Sequence, residues 1–192
     1  NESSYPQVIN VPLSFKGLAM ELNPINGDLT LNSPIYNNNN SNYLVYGGNT
    51  KKLSLNEILY GNGSSSLTIK EYSIVSIGYP NAIGAFGNGV NIERGELWFE
   101  AGASINGGII KVGNGNSNVA KLYLNDADGG STINNNITVP SSSSQSYIGA
   151  LNTSGTNIYS GNLSLAAAVQ LESFNGGTVN FSGDISGSYG VT

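Results

Sequence analysis

Apolar and polar residues alternate in short segments along most of the chain. Residues 52–55, 96–100 and 178–181 place an apolar side chain at every second position, which is the period of a β-strand with one buried face. Almost no stretch has apolar residues at the i, i+3, i+4 and i+7 positions of an amphipathic helix. The pattern therefore predicts an almost entirely β protein with short strands and frequent corners.

The corners help to choose between two all-β architectures. Strand starts about ten to twenty residues apart suit either a solenoid with two or three strands per coil or a Greek-key sandwich. Stacked corner Asn side chains can hydrogen-bond to their equivalents in the next coil, which would explain about thirty Asn in the chain. A genome rich in A and T would also raise the Asn content. We expect a right-handed parallel β-solenoid (β-helix), with a β-sandwich as the alternative.

The N-terminal residues differ from the rest of the chain because prolines interrupt them at positions 6, 12, 24 and 34. Proline is excluded from central strands. We therefore predict an irregular segment over residues 1–60, which caps the solenoid or bridges to another subunit, and a solenoid over residues 61–192. A cap within the same chain is one alternative, and strand addition onto a neighbouring subunit is the other. The residues predicted to make that assembly contact are Val8, Ile9, Val11, Leu13 and Phe15.

Composition narrows the possible functions. The chain has no His and no Cys, which excludes disulfides, thiolate or imidazole metal sites and a Ser-His-Asp triad. Seven Lys and Arg against twelve Asp and Glu give a net charge of −5, and the basic residues are scattered, so we expect no nucleic-acid partner. No apolar run approaches the roughly 20 residues that cross a bilayer. We expect no cofactor and no membrane-spanning segment.

The C-terminal third contains three stretches in order, at residues 122–139, 148–165 and 176–187. Their pattern is a small-residue turn, then Asn-Ile-Tyr-Ser-Gly at 157–161, then alternating apolar residues, then Gly-Gly-Thr-Val-Asn-Phe-Ser-Gly at 176–183. This series resembles the autotransporter-associated β-strand repeat found in passenger regions of bacterial surface proteins. The resemblance implies a parallel β-solenoid that is secreted or displayed at the cell surface, and it brings no catalytic residue. The first 60 residues do not match the repeat.

The densest charged group lies at residues 93–100, with the sequence Glu-Arg-Gly-Glu-Leu-Trp-Phe-Glu. In a strand, Glu96, Trp98 and Glu100 share the outer face and the apolar residues between them face the core. An aromatic side chain between two carboxylates suits carbohydrate binding. The two carboxylates are roughly 13 Å apart at this spacing, too far for glycoside hydrolysis. The alternative is a solvated strand face on which Arg94 neutralises a glutamate.

A second acidic group suggests a metal site. Asp126 and Asp128 precede Gly129 and Gly130, and calcium favours carboxylate and carbonyl oxygens around a glycine bend. The spacing of an EF-hand loop is absent. A corner held by hydrogen bonds from Asp side chains to the backbone is the alternative.

The absence of a catalytic constellation predicts a protein that is not an enzyme. We expect a subunit or segment of an extracellular fibre or surface layer, which assembles with copies of itself by end-to-end stacking or strand addition. The alternative is an adhesin passenger that binds glycans or a host surface. A first residue other than Met fits a mature chain that is secreted or exposed on the cell surface.

Overall fold

A computed structural model describes residues 2–17, 19–37, 42–48, 50–61, 63–80, 83–84 (backbone only), 86–114, 118–141, 145–174 and 176–192. All regular structure over these ranges is β, and they contain no helix long and apolar enough to span a membrane. In chain order the strands are β1 (Gln7–Ile9), β2 (Leu13–Phe15), β3 (Ala19–Leu22), β4 (Leu29–Leu31), β5 (Ile35–Asn37), β6 (Asn42–Val45), β7 (Lys52–Leu55), β8 (Leu59–Tyr60), β9 (Leu67–Ile69), β10 (Ser73–Ile77), β11 (Ile83–Gly84), β12 (Val90–Ile92), β13 (Gly95–Glu100), β14 (Ile110–Val112), β15 (Val119–Asn125), β16 (Thr132–Ile133), β17 (Ile137–Val139), β18 (Gln145–Ala150), β19 (Thr156–Tyr159), β20 (Leu163–Leu165), β21 (Val169–Ser173), β22 (Thr178–Phe181) and β23 (Ile185–Gly187).

The strands stack into parallel sheets along one axis. Sheet A contains β1, β4, β7, β10, β13, β15, β18 and β21, and sheet C contains β3, β6, β9, β12, β14, β17, β20 and β23. Between them, β2, β5, β8 and β11 form sheet B, and β16, β19 and β22 form sheet D. Each coil thus passes through sheet A, mostly through sheet B or D, and then through sheet C. This arrangement confirms the predicted parallel β-solenoid.

The register of the strands places chemically similar residues next to one another in successive coils. Paired residues in sheet A are 22 positions apart at Gln7 and Leu29 and 26 positions apart at Val119 and Gln145. The inward positions form continuous apolar columns, because every second side chain of a strand points to the same face. Each fully buried Val, Leu or Ile contributes roughly 1.5–3 kcal/mol. One such column in sheet A contains Leu53, Val75, Leu97, Leu122 and Ile148.

The boundary predicted at residue 60 is wrong for the described residues. The first eight strands lie within residues 7–60 and pair in parallel with the strands that follow them, for example β4 with β7 and β6 with β9. Pro12 lies between β1 and β2, and Pro34 lies just before β5. Since these prolines occupy corners, they remove no hydrogen bond from a sheet. The solenoid therefore begins at Gln7.

Candidate functional site

The outer face of β13 carries the three candidate ligand-binding residues. Burial alternates along the strand as predicted, with Leu97 and Phe99 fully buried. Glu96, Trp98 and Glu100 are half-buried on the opposite face. The predicted orientation is confirmed, and the indole on the outer face is half-buried.

Lysines from other coils neutralise both glutamates. Lys121 Nζ lies 2.9 Å from Glu96 Oε1, and Lys52 Nζ lies 3.1 Å from Glu100 Oε1. Because Lys52 belongs to β7, its side chain reaches past β10 to make this contact. Arg94, the cation suggested from the sequence, instead contacts a glutamate outside the group, Glu71, at 3.8 Å. Partly exposed pairs of this kind contribute about 0–1 kcal/mol each.

The remaining polar atoms of this group also bind within the protein. Trp98 Nε1 donates to Glu96 Oε2 at 2.9 Å, and Lys52 Nζ lies 5.4 Å from the centre of the indole ring. Glu100 Oε2 accepts from Asn125 Nδ2 at 2.7 Å, and Ser76 Oγ donates to Glu100 Oε1. A sugar hydroxyl would therefore compete with these partners for the carboxylate oxygens.

Tyr123 extends this outer face into the following coils. It pairs with Trp98 on one side and with Gly149 on the other, and its hydroxyl donates to Glu172 Oε2 at 2.6 Å. Since Gly149 is paired with Glu172, the phenol ring lies across the glycine. A Cβ at position 149 would be 2.1 Å from Glu172 O. Burial, and then the neighbouring Glu172, raise the pKa of Tyr123 well above its ordinary value.

Sequence reasoning missed most of this network. The partners Lys52, Lys121, Asn125 and Glu172 are far from β13 along the chain, and only the coil register brings them together. The signal that could have found them is the coil length of 22 to 25 residues in this region, which places residues 52, 74, 96 and 121 in one column.

The predicted metal site lies at the corner after β15. Asp126 Oδ2 accepts from Ser131 Oγ at 2.7 Å, and Asp126 O accepts from Gly129 N at 3.0 Å. The side chain of Asp128 is exposed. Within the described ranges, no three or more Asp, Glu, His or Cys side chains come together as a metal site would require. These contacts stabilise a corner, and calcium binding at Asp126 and Asp128 stays a prediction.

The five predicted assembly residues lie in the first coil of the solenoid. Ile9, Leu13 and Phe15 are partly buried and pack against the apolar core. Val8 and Val11 are 55% and 61% exposed. The strands of this coil, β1, β2 and β3, are each the last member of their sheet. This end of the solenoid therefore presents strand edges together with half-covered apolar side chains.

The last coil presents the same kind of surface. Val179 and Phe181 of β22 are partly buried against the core, and Ile185 of β23 is 46% exposed. Both strands are the last members of their sheets. In sheet A, Val191 pairs in parallel with Val169, and Thr192 N donates to Val169 O.

The described residues thus offer three candidate surfaces: the outer face of sheet A, the Asp126 corner and the two terminal coils. On the outer face and at the corner, the principal side chains already bond within the protein. The terminal coils combine sheet edges with incompletely buried apolar residues. Comparison with known proteins adds no assignment, because no family model, no curated protein and no solved structure matches the chain.

Proposed function

We propose that this chain is a non-catalytic structural segment of the bacterial cell exterior, which extends an extracellular fibre or surface layer through its terminal coils. The observation that carries the proposal is the pair of open coils, β1 to β3 at one end and β22 and β23 at the other. Exposed strand edges readily pair with another strand.

The apolar side chains of the terminal coils favour such pairing. Four side chains of these coils pack against the core cluster but are only partly buried: Ile9, Leu13, Phe15 and Phe181. A coil stacked on them would complete their burial, and fully burying one apolar side chain contributes roughly 1.5–3 kcal/mol. Backbone hydrogen bonds along the new strand pairs would fix the register.

One feature supports a location outside the cell. The resemblance of residues 122–187 to the autotransporter-associated repeat favours secretion or surface display.

Negative-stain microscopy and sedimentation over a concentration series test the proposal. We expect unbranched filaments that become longer as concentration rises. A chain that stays monomeric at every concentration would overturn the proposal.

A proline at Val8 tests whether strand edges drive the assembly. Gln7 N donates to Asp28 O, and Ile9 O accepts from Asn32 N. Backbone groups of successive residues in a parallel strand point to opposite neighbours, so Val8 presents its N–H to the open edge. Val8→Pro removes that donor without breaking the pairing of β1 with β4. We expect Val8→Pro to reduce filament formation and the matched variant Val8→Ala to preserve it.

A second candidate function is display of a glycan-binding or host-binding face. It rests on Trp98 and Tyr147, which are both half-buried on the outer face of sheet A. Screening labelled protein against immobilised glycans tests it, with Trp98→Ala as the disrupting variant. Tyr36→Ala, an exposed tyrosine of sheet B, is the control. Binding that is equal in both variants, or absent from the unmodified chain, would contradict this candidate.

A further inference from the structure

A series of side-chain hydrogen bonds runs along the corners that precede sheet C. Asn136 Oδ1 accepts from the backbone N–H of Asn162 at 3.0 Å, and Asn162 Oδ1 accepts from the backbone N–H of Asp184 at 3.1 Å. Each of these residues immediately precedes a strand, β17, β20 or β23. Each side-chain oxygen therefore caps a backbone N–H one coil further on. At the last coil this position carries the exposed carboxylate of Asp184.

The first coil offers a backbone N–H in the matching place. Successive strand pairings in sheet C form one inward column that starts at Met20 and ends at Ile185. If the first coil of another copy were stacked on the last coil in this register, Met20 would lie next to Ile185. Ala19 would then lie next to Asp184. Along the column, inward residues donate their N–H to the following coil, as Tyr43 N does to Ser66 O. Ala19, one position earlier, therefore directs its N–H to the open edge.

The side chains of the two ends also complement each other in this register. Ile185, which is exposed, would pack under Met20, which is partly buried. The next inward position pairs Gly187 with Leu22, so the smallest residue lies beneath a bulky one. Gly187 has a φ of +129°, and a Cβ on it would be 2.0 Å from Leu165 O, so the preceding coil excludes a side chain at this position.

Charge complementarity points to the same partner. Lys16 lies in the corner between β2 and β3, and Asp184 lies in the corner between β22 and β23. Both side chains are exposed. Stacking the first coil on the last would bring the two corners together and place the ammonium near the carboxylate.

We propose that the last coil binds the first coil of a second copy of this chain, with β3 on β23, Ile185 under Met20 and the carboxylate of Asp184 accepting the N–H of Ala19. This inference rests on the proposed function and specifies its contact. In sheet A, Val191 and Thr192 already occupy the places that Tyr5 and Pro6 would take in this register. In this register Gln7–Ile9 of the second copy lies along β21, opposite residues 171–173, and its residues before Gln7 lie outside the column.

Disulfide trapping tests the register, because the chain contains no Cys. Glu21 and Ser186 face outward at the two ends of one column in sheet C. In the proposed stack they belong to neighbouring strands about 4.8 Å apart, which suits a disulfide. Within one chain they are seven coils apart, or roughly 34 Å, so only two copies can form this bond.

The variant carrying E21C and S186C should form covalent multimers on mild oxidation, seen as a ladder on a non-reducing gel. The matched control carries V8C and S186C, which are both exposed but lie on sheets A and C, and should not form the ladder. Filaments of the unmodified chain combined with no ladder from the first variant, or with equal ladders from both, would overturn the inferred register and leave the proposed function standing. Absence of both filaments and ladder would overturn the proposed function as well.

The Asp184 contact has its own test. Asp184→Ala should raise the concentration at which filaments first sediment about tenfold, since it removes a charge-assisted hydrogen bond. Asp184→Asn retains an oxygen acceptor like those of Asn136 and Asn162. The concentration at which its filaments first sediment should therefore stay within a few-fold of that for the unmodified chain. An unchanged threshold in Asp184→Ala would overturn the role of this carboxylate.

Discussion

Two buried tyrosines combine apolar packing with a satisfied hydroxyl. Tyr43 OH donates to Tyr60 O at 2.7 Å, and Tyr159 OH donates to Gly149 O at 2.8 Å. Both side chains are fully buried, and burial raises the pKa of each well above the ordinary value near 10. The folded chain therefore keeps these hydroxyls protonated at a pH where an unfolded chain would lose the protons.

This difference predicts loss of stability at alkaline pH. Below about pH 10 both the folded and the unfolded chain keep the tyrosine protons, so the buried hydroxyls contribute fully to the free energy of unfolding. As the pH rises above that value, the unfolded state releases protons that the folded state retains, so the free energy of unfolding falls. Urea unfolding at pH 8 and pH 11, followed by circular dichroism, should show a smaller decrease for Tyr43→Phe than for the unmodified chain. Tyr5→Phe changes a position that is 75% exposed, so its free energy of unfolding should fall as much as that of the unmodified chain. Equal decreases in all three proteins would contradict the prediction.

A single glycine is required where β13 begins. Gly95 has a φ of +108°, and a Cβ there would lie 2.6 Å from Ser73 O. Gly95→Ala should lower the free energy of unfolding by about 1–3 kcal/mol, because it adds backbone strain and a clash with a neighbouring strand. Gly63→Ala is the matched control, since a Cβ there meets no atom within 4 Å. Equal midpoints of urea unfolding for the two variants would show that the strain is relieved elsewhere.

At the scale of elements, one corner is held by stacked amides. Asn32 Nδ2 donates to Asn10 Oδ1 at 2.9 Å, and Asn56 Nδ2 donates to Asn32 Oδ1 at 2.8 Å. These residues follow β1, β4 and β7, so the amides join the first three coils at the same corner. This is the function that the sequence predicted for its Asn excess.

The stacked amides of Asn10, Asn32 and Asn56 form a hydrogen-bonded ladder, and this ladder predicts unequal effects when its residues are replaced. Asn32→Ala breaks two hydrogen bonds and Asn10→Ala breaks one, and a typical bond contributes about 0.5–1.5 kcal/mol. The loss in free energy of unfolding should therefore be about twice as large for Asn32→Ala. Chemical denaturation of the two variants measures it. A loss in Asn10→Ala equal to or above that in Asn32→Ala would argue against the ladder as a stabilising unit.

The sequence predicts individual strands well because burial imposes a period of two. It predicts the face of Trp98 for the same reason. It does not predict that Lys52 and Lys121 approach this strand, because coil length varies and the register depends on how many residues each corner holds. The irregular segment predicted over residues 1–60 is wrong for a related reason, since its prolines occupy corners, where a missing N–H costs no sheet hydrogen bond.

At the scale of the molecule, each coil contacts mainly the coils before and after it. Among the described residues, the longest strand pairings join β13 with β15 and β15 with β18, in the interior of the stack. The terminal coils have a neighbour on one side only. In such a quasi-one-dimensional array, stability is approximately a sum of coil and interface contributions.

Hydrogen exchange should reveal this gradient. Amides of β10, β13 and β15 should exchange most slowly, and those of β1 and β23 should exchange fastest, because local opening begins where neighbours are fewest. Mass spectrometry of the monomeric chain measures the rates peptide by peptide. Uniform protection from end to end would show that the solenoid opens only as a whole. In filaments, protection at β3 and β23 should rise if these strands form the contact.

Coiling also determines how the molecule would respond to a pulling force. A coil of 22 to 26 residues in sheet A adds only about 4.8 Å to the length of the stack, yet the same residues span roughly 80 Å when fully extended. A tension that unfolds one terminal coil would therefore increase the length spanned by the residues of that coil about sixteenfold, while the other coils stay folded. A fibre built from such chains would yield stepwise under load and recover by recoiling.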